Sequence, residues 1–139
     1  MAVLALFPGS FDPFTAGHEA ILRRVLPLFD KVVVAVGVNS EKHCMFSVEE
    51  RMKRIRQTMK DCPSVEVTSY SGMTIDLCHQ LGAKVIIRGI RTAKDFEYEQ
   101  TIAAVNRLQD PSIETLLLLA DPTHIDISST LEREKLTHK

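Results

Sequence analysis

Three features that would assign this chain to a special class are scarce: paired cysteines, a long apolar run and an excess of charge of one sign. The three cysteines are odd in number, far apart and without a C-x-x-C pair, which argues against a disulfide framework or a zinc site. No apolar run approaches the roughly 18 residues of a membrane span, and no charged segment precedes the first apolar stretch as in a secretory signal. The formal net charge of −1 provides no general field for nucleic acid or an anionic membrane. We therefore expect a cytoplasmic protein whose anion sites are built from a few converging cations.

The composition is that of an ordinary globular domain. Of the 139 residues, 45% are hydrophobic and 25% are charged, which is close to the average for folded proteins. A chain of this length can bury one substantial core but not two. We predict a single domain over residues 1–139.

Apolar runs recur along the chain, and segments with helical spacing separate them. Runs without alternation suit strands buried on both faces, and they occupy residues 3–7, 32–36, 85–87 and 116–119. Residues 65–67 alternate instead, which indicates a strand nearer an edge. Four helical patterns lie between these runs, and the apolar residues of the fourth are Tyr98, Ile102, Val105 and Leu108. We predict an α/β protein with a doubly wound, Rossmann-like sheet of five parallel strands, order 3-2-1-4-5, and helices on both faces.

Residues 7–18, FPGSFDPFTAGH, join the first predicted strand to the first predicted helix. Such a junction presents backbone N–H groups and a helix N-terminus to phosphate, and Gly9 and Gly17 let the backbone approach a ligand closely. The segment is neither a Walker A loop nor a Gly-x-Gly-x-x-Gly motif. His18 either donates a hydrogen bond to a phosphoryl oxygen or merely caps the helix, and the local sequence leaves both interpretations open.

Two arginines follow the fourth predicted strand. The planar fork of Arg88 suits phosphate oxygens, and Arg91 strengthens the case for an anion site. Plain salt bridges to Glu97 or Glu99 are the alternative. In the order 3-2-1-4-5, strands one and four are neighbours at the switch point, where ligands bind beyond the carboxyl ends of the strands. Topology is therefore expected to bring Arg88 and residues 9–10 to one crevice.

Two further segments have a functional and a plain interpretation. Lys42 lies in the loop after the second strand and, taken alone, is a solvated lysine. Ser129 and Glu132 form a capping box, so residues 128–130 begin a final helix. A helix N-terminus with spare hydroxyls also attracts phosphate, although capping alone would explain these residues.

Together these segments resemble a known family. Residues 9–18 resemble the first signature of the nucleotidylyltransferase superfamily with the Thr/His-x-Gly-His motif. Residues 88–91 (RGIR) with 95–99 (DFEYE) resemble the phosphopantetheine adenylyltransferases within it, and residues 127–134 resemble that family's third signature. Single signatures of this length are weak, whereas three in order over nearly the whole chain are specific.

The resemblance implies adenylyl transfer from ATP to 4′-phosphopantetheine in coenzyme A biosynthesis, by direct in-line attack and with Mg²⁺ on the triphosphate. It implies a catalytic set of His18, Lys42 and Arg91. The phosphopantetheine set is Ser10, Lys42, Thr74 and Arg88. The ATP set is Ser10, Phe11, His18, Gly89, Ile90, Arg91, Glu99, His124, Ile125, Asp126, Ile127, Ser128, Ser129 and Thr130. The family forms hexamers, so a homo-oligomer is expected.

Two positions depart from the residues that are usual in the family. Cys44 stands where proline is common, and Glu132 stands where an apolar residue is usual.

Two alternative functions remain. One is that of a transferase that uses glycerol 3-phosphate and CTP, which the motif of residues 88–99 disfavours. The other is a catalytically silent nucleotide-binding module, which the combination of His18 with Arg88 and Arg91 disfavours.

Overall fold

Five strands alternate with helices in the computed structural model, which describes residues 2–39 and 43–124. The strands are β1 (Leu4–Gly9), β2 (Lys31–Gly37), β3 (Val65–Tyr70), β4 (Val85–Ile90) and β5 (Glu114–Leu119). The α-helices are α1 (Ala16–Val25), α2 (Val48–Thr58), α3 (Thr74–Leu81) and α4 (Ala93–Gln109), with short 3-10 turns at Leu26–Leu28 and Pro122–His124. No helix in the described ranges is long and apolar enough to cross a membrane.

All five strands pair in parallel in one sheet. Their order is β3-β2-β1-β4-β5, so the predicted topology is confirmed. The chain moves outward from β1 through β2 to β3 and then returns to place β4 on the other side of β1. The carboxyl ends of β1 and β4 are therefore neighbours, and the loops that follow them meet at the switch point.

Apolar layers cover both faces of the sheet, as predicted. On one face, Ile21 and Leu22 of α1 pack with Ile55 of α2 over side chains of β1, β2 and β4. On the other face, Ile75 and Cys78 of α3 pack over the opposite side chains of the same central strands. Each buried aliphatic side chain of this kind contributes roughly 1.5–3 kcal/mol to folding. The core thus holds the strand ends that carry the site in fixed register.

The prediction that β5 is buried on both faces is wrong. Leu116 and Leu119 are exposed, because β5 lies at the edge of the sheet and the described helices pack mainly over the central strands. The parallel strand at the other edge, β3, shows the alternation that the sequence indicated.

The apolar pattern of α4 does not mark the face that packs inward. Tyr98, Val105 and Leu108 are 65%, 50% and 87% exposed, whereas Glu99 and Asn106 are buried. The two sets are offset by one residue, which is a rotation of about 100° around a helix. The helix therefore turns a polar side toward the sheet, at the place where β4 ends.

Candidate active site

A cleft of about 320 Å³ opens beyond the carboxyl ends of the central strands. The ends of β1 and β2 form its floor, and one side of α4 forms a wall. Four of the residues predicted for substrate binding line it, namely Ser10, Thr74, Arg88 and Glu99. The expectation that topology brings Arg88 and residues 9–10 to one crevice is therefore confirmed.

Arg88 projects from β4 into this cleft and is held from two sides. Its Nε and Nη2 donate to the Glu99 carboxylate at 2.8 and 2.7 Å, and its Nη1 donates to the carbonyl of Pro8. Burial opposes the charge of the guanidinium, but the bonds to Glu99 outweigh this cost, so the pKa of Arg88 lies above its usual value. A guanidinium has five N–H groups. Two N–H groups of Arg88 remain to bind an anion, so Arg88 can keep its salt bridge to Glu99 while it binds a phosphate.

Glu99 consequently has a different environment from the one the resemblance implied. Its side chain is buried against Arg88, and both carboxylate oxygens accept hydrogen bonds from that arginine. Its direct observed role is to orient Arg88. The contact of Glu99 with ATP stays a prediction.

His18 lies in the first turn of α1, where it forms a reciprocal capping box with Thr15. The Thr15 hydroxyl accepts from the His18 backbone N–H at 3.3 Å, and His18 Nδ1 accepts from the Thr15 backbone N–H at 2.9 Å. A backbone N–H can only donate, so Nδ1 carries no proton and the neutral ring carries its proton on Nε2. The histidine therefore caps the helix with one nitrogen and keeps an N–H donor on the other.

The surroundings of His18 keep its ring uncharged. Phe14 stacks on the imidazole and Phe11 meets it edge-on. Burial lowers the pKa of His18 to about 4, with further lowering from the positive charges of Arg88 and Arg91. Because both arginines lie close enough to act on the ring, the structure brings these three predicted residues together. At neutral pH, His18 is a neutral hydrogen-bond donor.

The loop from β1 to α1 is tightly constrained. Phe11 is buried in the left-handed region at φ 50°, a conformation that residues other than glycine rarely adopt. A Cβ on Gly9 would lie 3.0 Å from the Phe11 ring, so glycine lets that ring pack closely against the backbone. Since the Phe11 side chain is buried in the core, its predicted contact with ATP would have to come from its backbone.

The end of β4 continues the site. A Cβ on Gly89 would meet Ile21 of α1 at 3.3 Å, so glycine here permits the close approach of α1, the helix that carries His18. Ile90 is the last residue of β4. The backbone N–H of Arg91 donates to Asp95 at 3.0 Å, and its Nε lies 3.6 Å from the same carboxylate. Arg91 is partly exposed at the start of α4.

The remaining predicted residues are placed as follows. Thr74 begins α3, and its hydroxyl lies 3.2 Å from that of Tyr70 at the end of β3. His124 ends the short turn after β5. Lys42 and residues 125–130 lie outside the described residues, so their roles stay predictions.

Sequence reasoning missed several residues that line the cleft, including Tyr70 and Asn106. Tyr70 carried a usable signal, because it follows the predicted strand at residues 65–67 by three positions and so falls near the carboxyl edge of the sheet. Asn106 carried another, since it follows Glu99 by seven residues and so shares its helix face. That face also presents Ile102 and Ala103 to the cleft. Of the four apolar residues predicted for this helix, Ile102 lines the cleft, whereas Tyr98, Val105 and Leu108 are exposed. Cys44, noted above only as a departure from the family's usual proline, lines the cleft as well.

Comparison with known proteins agrees with this architecture. Residues 6–135 match the family model described as cytidylyltransferase-like. A solved bifunctional NMN adenylyltransferase/ADP ribose pyrophosphatase from Francisella tularensis superposes with a TM-score of 0.75 at 18% identity, over 99% of this chain and 43% of that longer one. That likeness concerns the fold. The fold and the family match together define a nucleotidyltransferase.

Curated relatives narrow the class further. The chain is 52% identical to the phosphopantetheine adenylyltransferase of Flavobacterium psychrophilum, over 94% of this chain and 85% of the relative. It is 47% identical to the phosphopantetheine adenylyltransferase of Bacteroides thetaiotaomicron, over 96% of this chain and 88% of the relative. The chain belongs to the phosphopantetheine adenylyltransferase family.

Proposed function

We propose that this protein transfers the adenylyl group of ATP to 4′-phosphopantetheine, which yields dephospho-coenzyme A and pyrophosphate in coenzyme A biosynthesis. One observation carries the proposal: a neutral His18 donor and the cations Arg88 and Arg91 converge at the switch point beside a cleft. A cytoplasmic location is in keeping with three unpaired cysteines.

The reaction proceeds by direct in-line attack. An oxygen of the phosphopantetheine phosphate forms a bond to the α-phosphorus of ATP, while the bond from that phosphorus to the β-phosphate bridging oxygen breaks. Charge spreads over the equatorial oxygens in the transition state, so catalysis consists of positioning and electrostatic stabilisation. The Nε2–H of His18 donates to these oxygens, and its low pKa keeps it a hydrogen-bond donor that transfers no proton.

Each cation has its own part in this scheme. Arg88, oriented by Glu99, and Ser10 hold the attacking phosphate, because both line the cleft. Lys42 contacts the attacking phosphate of phosphopantetheine and stabilises the transferring group. Arg91 binds the leaving pyrophosphate together with residues 128–130.

The cleft also suits a long acceptor. Beyond Arg88 its lining mixes apolar Ile102 with polar Tyr70, Thr74 and Asn106. Pantetheine has the same mixed character, since amide groups interrupt its aliphatic chain. A short polyol phosphate would reach Arg88 but leave this lining uncovered.

Mg²⁺ accompanies ATP in this proposal. Among the described residues, no three His, Cys, Asp or Glu side chains are grouped to hold a metal ion. The cation would be coordinated mainly by phosphate oxygens and water, the usual arrangement for nucleotide-bound magnesium, where it neutralises triphosphate charge.

Pyrophosphate release tests the reaction directly. With Mg²⁺, the protein should release pyrophosphate from ATP and 4′-phosphopantetheine far faster than from CTP and glycerol 3-phosphate or from ATP and nicotinamide mononucleotide. Pantetheine without its phosphate is the matched control and should give no product, because it lacks the attacking group. A preference for either alternative pair would overturn the substrate assignment and keep the reaction class. No release from any pair by folded protein would favour a binding module.

Assembly into a homo-oligomer, with a hexamer expected, belongs to the same proposal. The exposed apolar side chains of α4 and β5 are where we expect subunits to meet, because contiguous apolar patches on a protein surface often mark interaction sites. Light scattering on a sizing column should give six times the chain mass of 15.6 kDa. Leu108→Glu should lower that mass, whereas Leu28→Glu, also at an exposed leucine, should not. A monomer at every concentration would contradict the proposal.

A further inference from the structure

Two buried charged residues lie beside the cleft and have no part in the reaction scheme. Arg51, in α2, is 3% exposed, and Asp12, in the loop after β1, is 2% exposed. Burying a charge is costly unless hydrogen bonds compensate for the lost water. The bonds that these two side chains make therefore indicate what they are for.

Arg51 joins three segments of backbone. Its Nη1 donates to the carbonyl of Ser10 at 2.8 Å and to that of Gly37 at 3.4 Å. Its Nε donates to the carbonyl of Phe46 at 3.1 Å. One guanidinium thus ties the loop after β1 to the end of β2 and to Phe46, two residues before α2 begins.

Asp12, in the loop after β1, binds the same segment before α2 that Arg51 contacts. Its carboxylate oxygens accept hydrogen bonds from the backbone N–H groups of Met45 at 2.8 Å and Phe46 at 2.9 Å. Phe46 is therefore held at its N–H by Asp12 and at its carbonyl by Arg51. Hydrogen bonds with one ionised partner are about twice as strong as neutral ones. The two loops are joined by several such bonds, which come from two almost fully buried side chains.

These contacts enclose the strained part of the site. Arg51 holds the carbonyl of Ser10, Asp12 is anchored to residues 45–46, and Phe11 lies between them at φ 50°. A strained residue keeps such a conformation only when its surroundings over-determine it. We propose that Asp12 and Arg51 are positioning residues that lock the loop after β1 to the segment before α2 and so fix Ser10 at the cleft. This inference rests on the proposed function, in which Ser10 holds the attacking phosphate.

Conservative substitutions test the inference. Arg51→Lys keeps the charge but cannot reach three carbonyls, and Asp12→Asn keeps the shape but replaces one acceptor with a donor. A misplacement of about 1 Å can cost 10²-fold in rate, so we expect each change to lower kcat by about tenfold to a hundredfold. KM for ATP should change by less than about threefold. The matched controls Arg56→Lys, on α2, and Asp76→Asn, on α3, are exposed and should leave kcat unchanged.

A double-mutant cycle distinguishes positioning from a general loss of stability. If Arg51 acts through Ser10, Arg51→Lys should lower kcat much less in a Ser10→Ala background than in the unsubstituted protein. If Arg51→Lys lowered kcat by the same factor in both backgrounds, the inference would be overturned. Normal turnover in Arg51→Lys with only a lower melting temperature would also overturn it. If Arg51→Lys does not fold, Asp12→Asn is put through the same cycle. An error in the proposed function would appear differently, as missing pyrophosphate release in the unsubstituted protein.

Discussion

His18→Ala is expected to lower kcat for adenylyl transfer by about 10²–10³-fold, the usual loss when one transition-state donor is removed. ATP affinity should change much less, because the donor acts on charge that develops during the reaction. His79→Ala is a matched control, since this exposed histidine pairs with Asp110. Near-normal turnover in His18→Ala would show that His18 is only a helix cap.

A second substitution separates the two roles of His18. Glutamine at the third helical position can complete a capping box with Thr15, because its side chain accepts from the N-cap backbone. His18→Gln should therefore regain the stability that alanine loses, about 1 kcal/mol for one hydrogen bond, without regaining kcat. Recovery of both quantities would contradict the assignment of His18 Nε2 as the donor.

The neutral state of His18 can also be tested by titrating its imidazole. The imidazole of His18 should titrate near pH 4 in the ligand-free protein, as its pKa indicates, and nuclear magnetic resonance can follow it. The unfolded chain takes up this proton near pH 6.5. Between these values the unfolded state holds more protons, so the free energy of unfolding falls as pH falls through that window. A titration near 6.5 would contradict the assignment of His18 as a neutral ring kept uncharged by its surroundings.

The second large effect concerns the division of labour between the cations. Arg88→Ala should weaken phosphopantetheine binding or lower kcat by about 10²-fold, because charge-assisted bonds to phosphate are lost. Lys42→Ala should act on the same substrate, whereas Arg91→Ala should mainly weaken ATP binding. Calorimetric titration of each variant with each substrate measures the difference. Equal losses for both substrates in all three variants would refute the division.

Stability has to be controlled in this experiment, because Arg88→Ala leaves the Glu99 carboxylate buried without its partner. Breaking a buried pair in this way typically costs about 3–5 kcal/mol. Arg88→Ala combined with Glu99→Gln removes the stranded charge. The double variant should recover much of the melting temperature and none of the phosphopantetheine affinity. If it recovered affinity as well, the loss in Arg88→Ala would be one of folding.

From the sequence alone, the sheet, its strand order and the meeting place of the two main motifs could be predicted. Short apolar runs specify parallel strands, and the switch-point rule then brings the ends of β1 and β4 together without any knowledge of side chains. The spacing of the three signatures added the family. These are properties of local pattern and connectivity, which a linear sequence carries.

Only the tertiary structure decided which side chains face the cleft and in what state. The inward face of α4 carries Glu99 and Asn106, a choice that hydrophobic pattern cannot make when apolar residues lie on an exposed face. The tautomer and low pKa of His18 depend on Thr15, burial and arginines far along the chain. Arg51 acts on Ser10 across 41 positions of sequence. Burial, charge interactions and hydrogen bonds depend on residues that are neighbours in space, and so they are set only once the chain has folded.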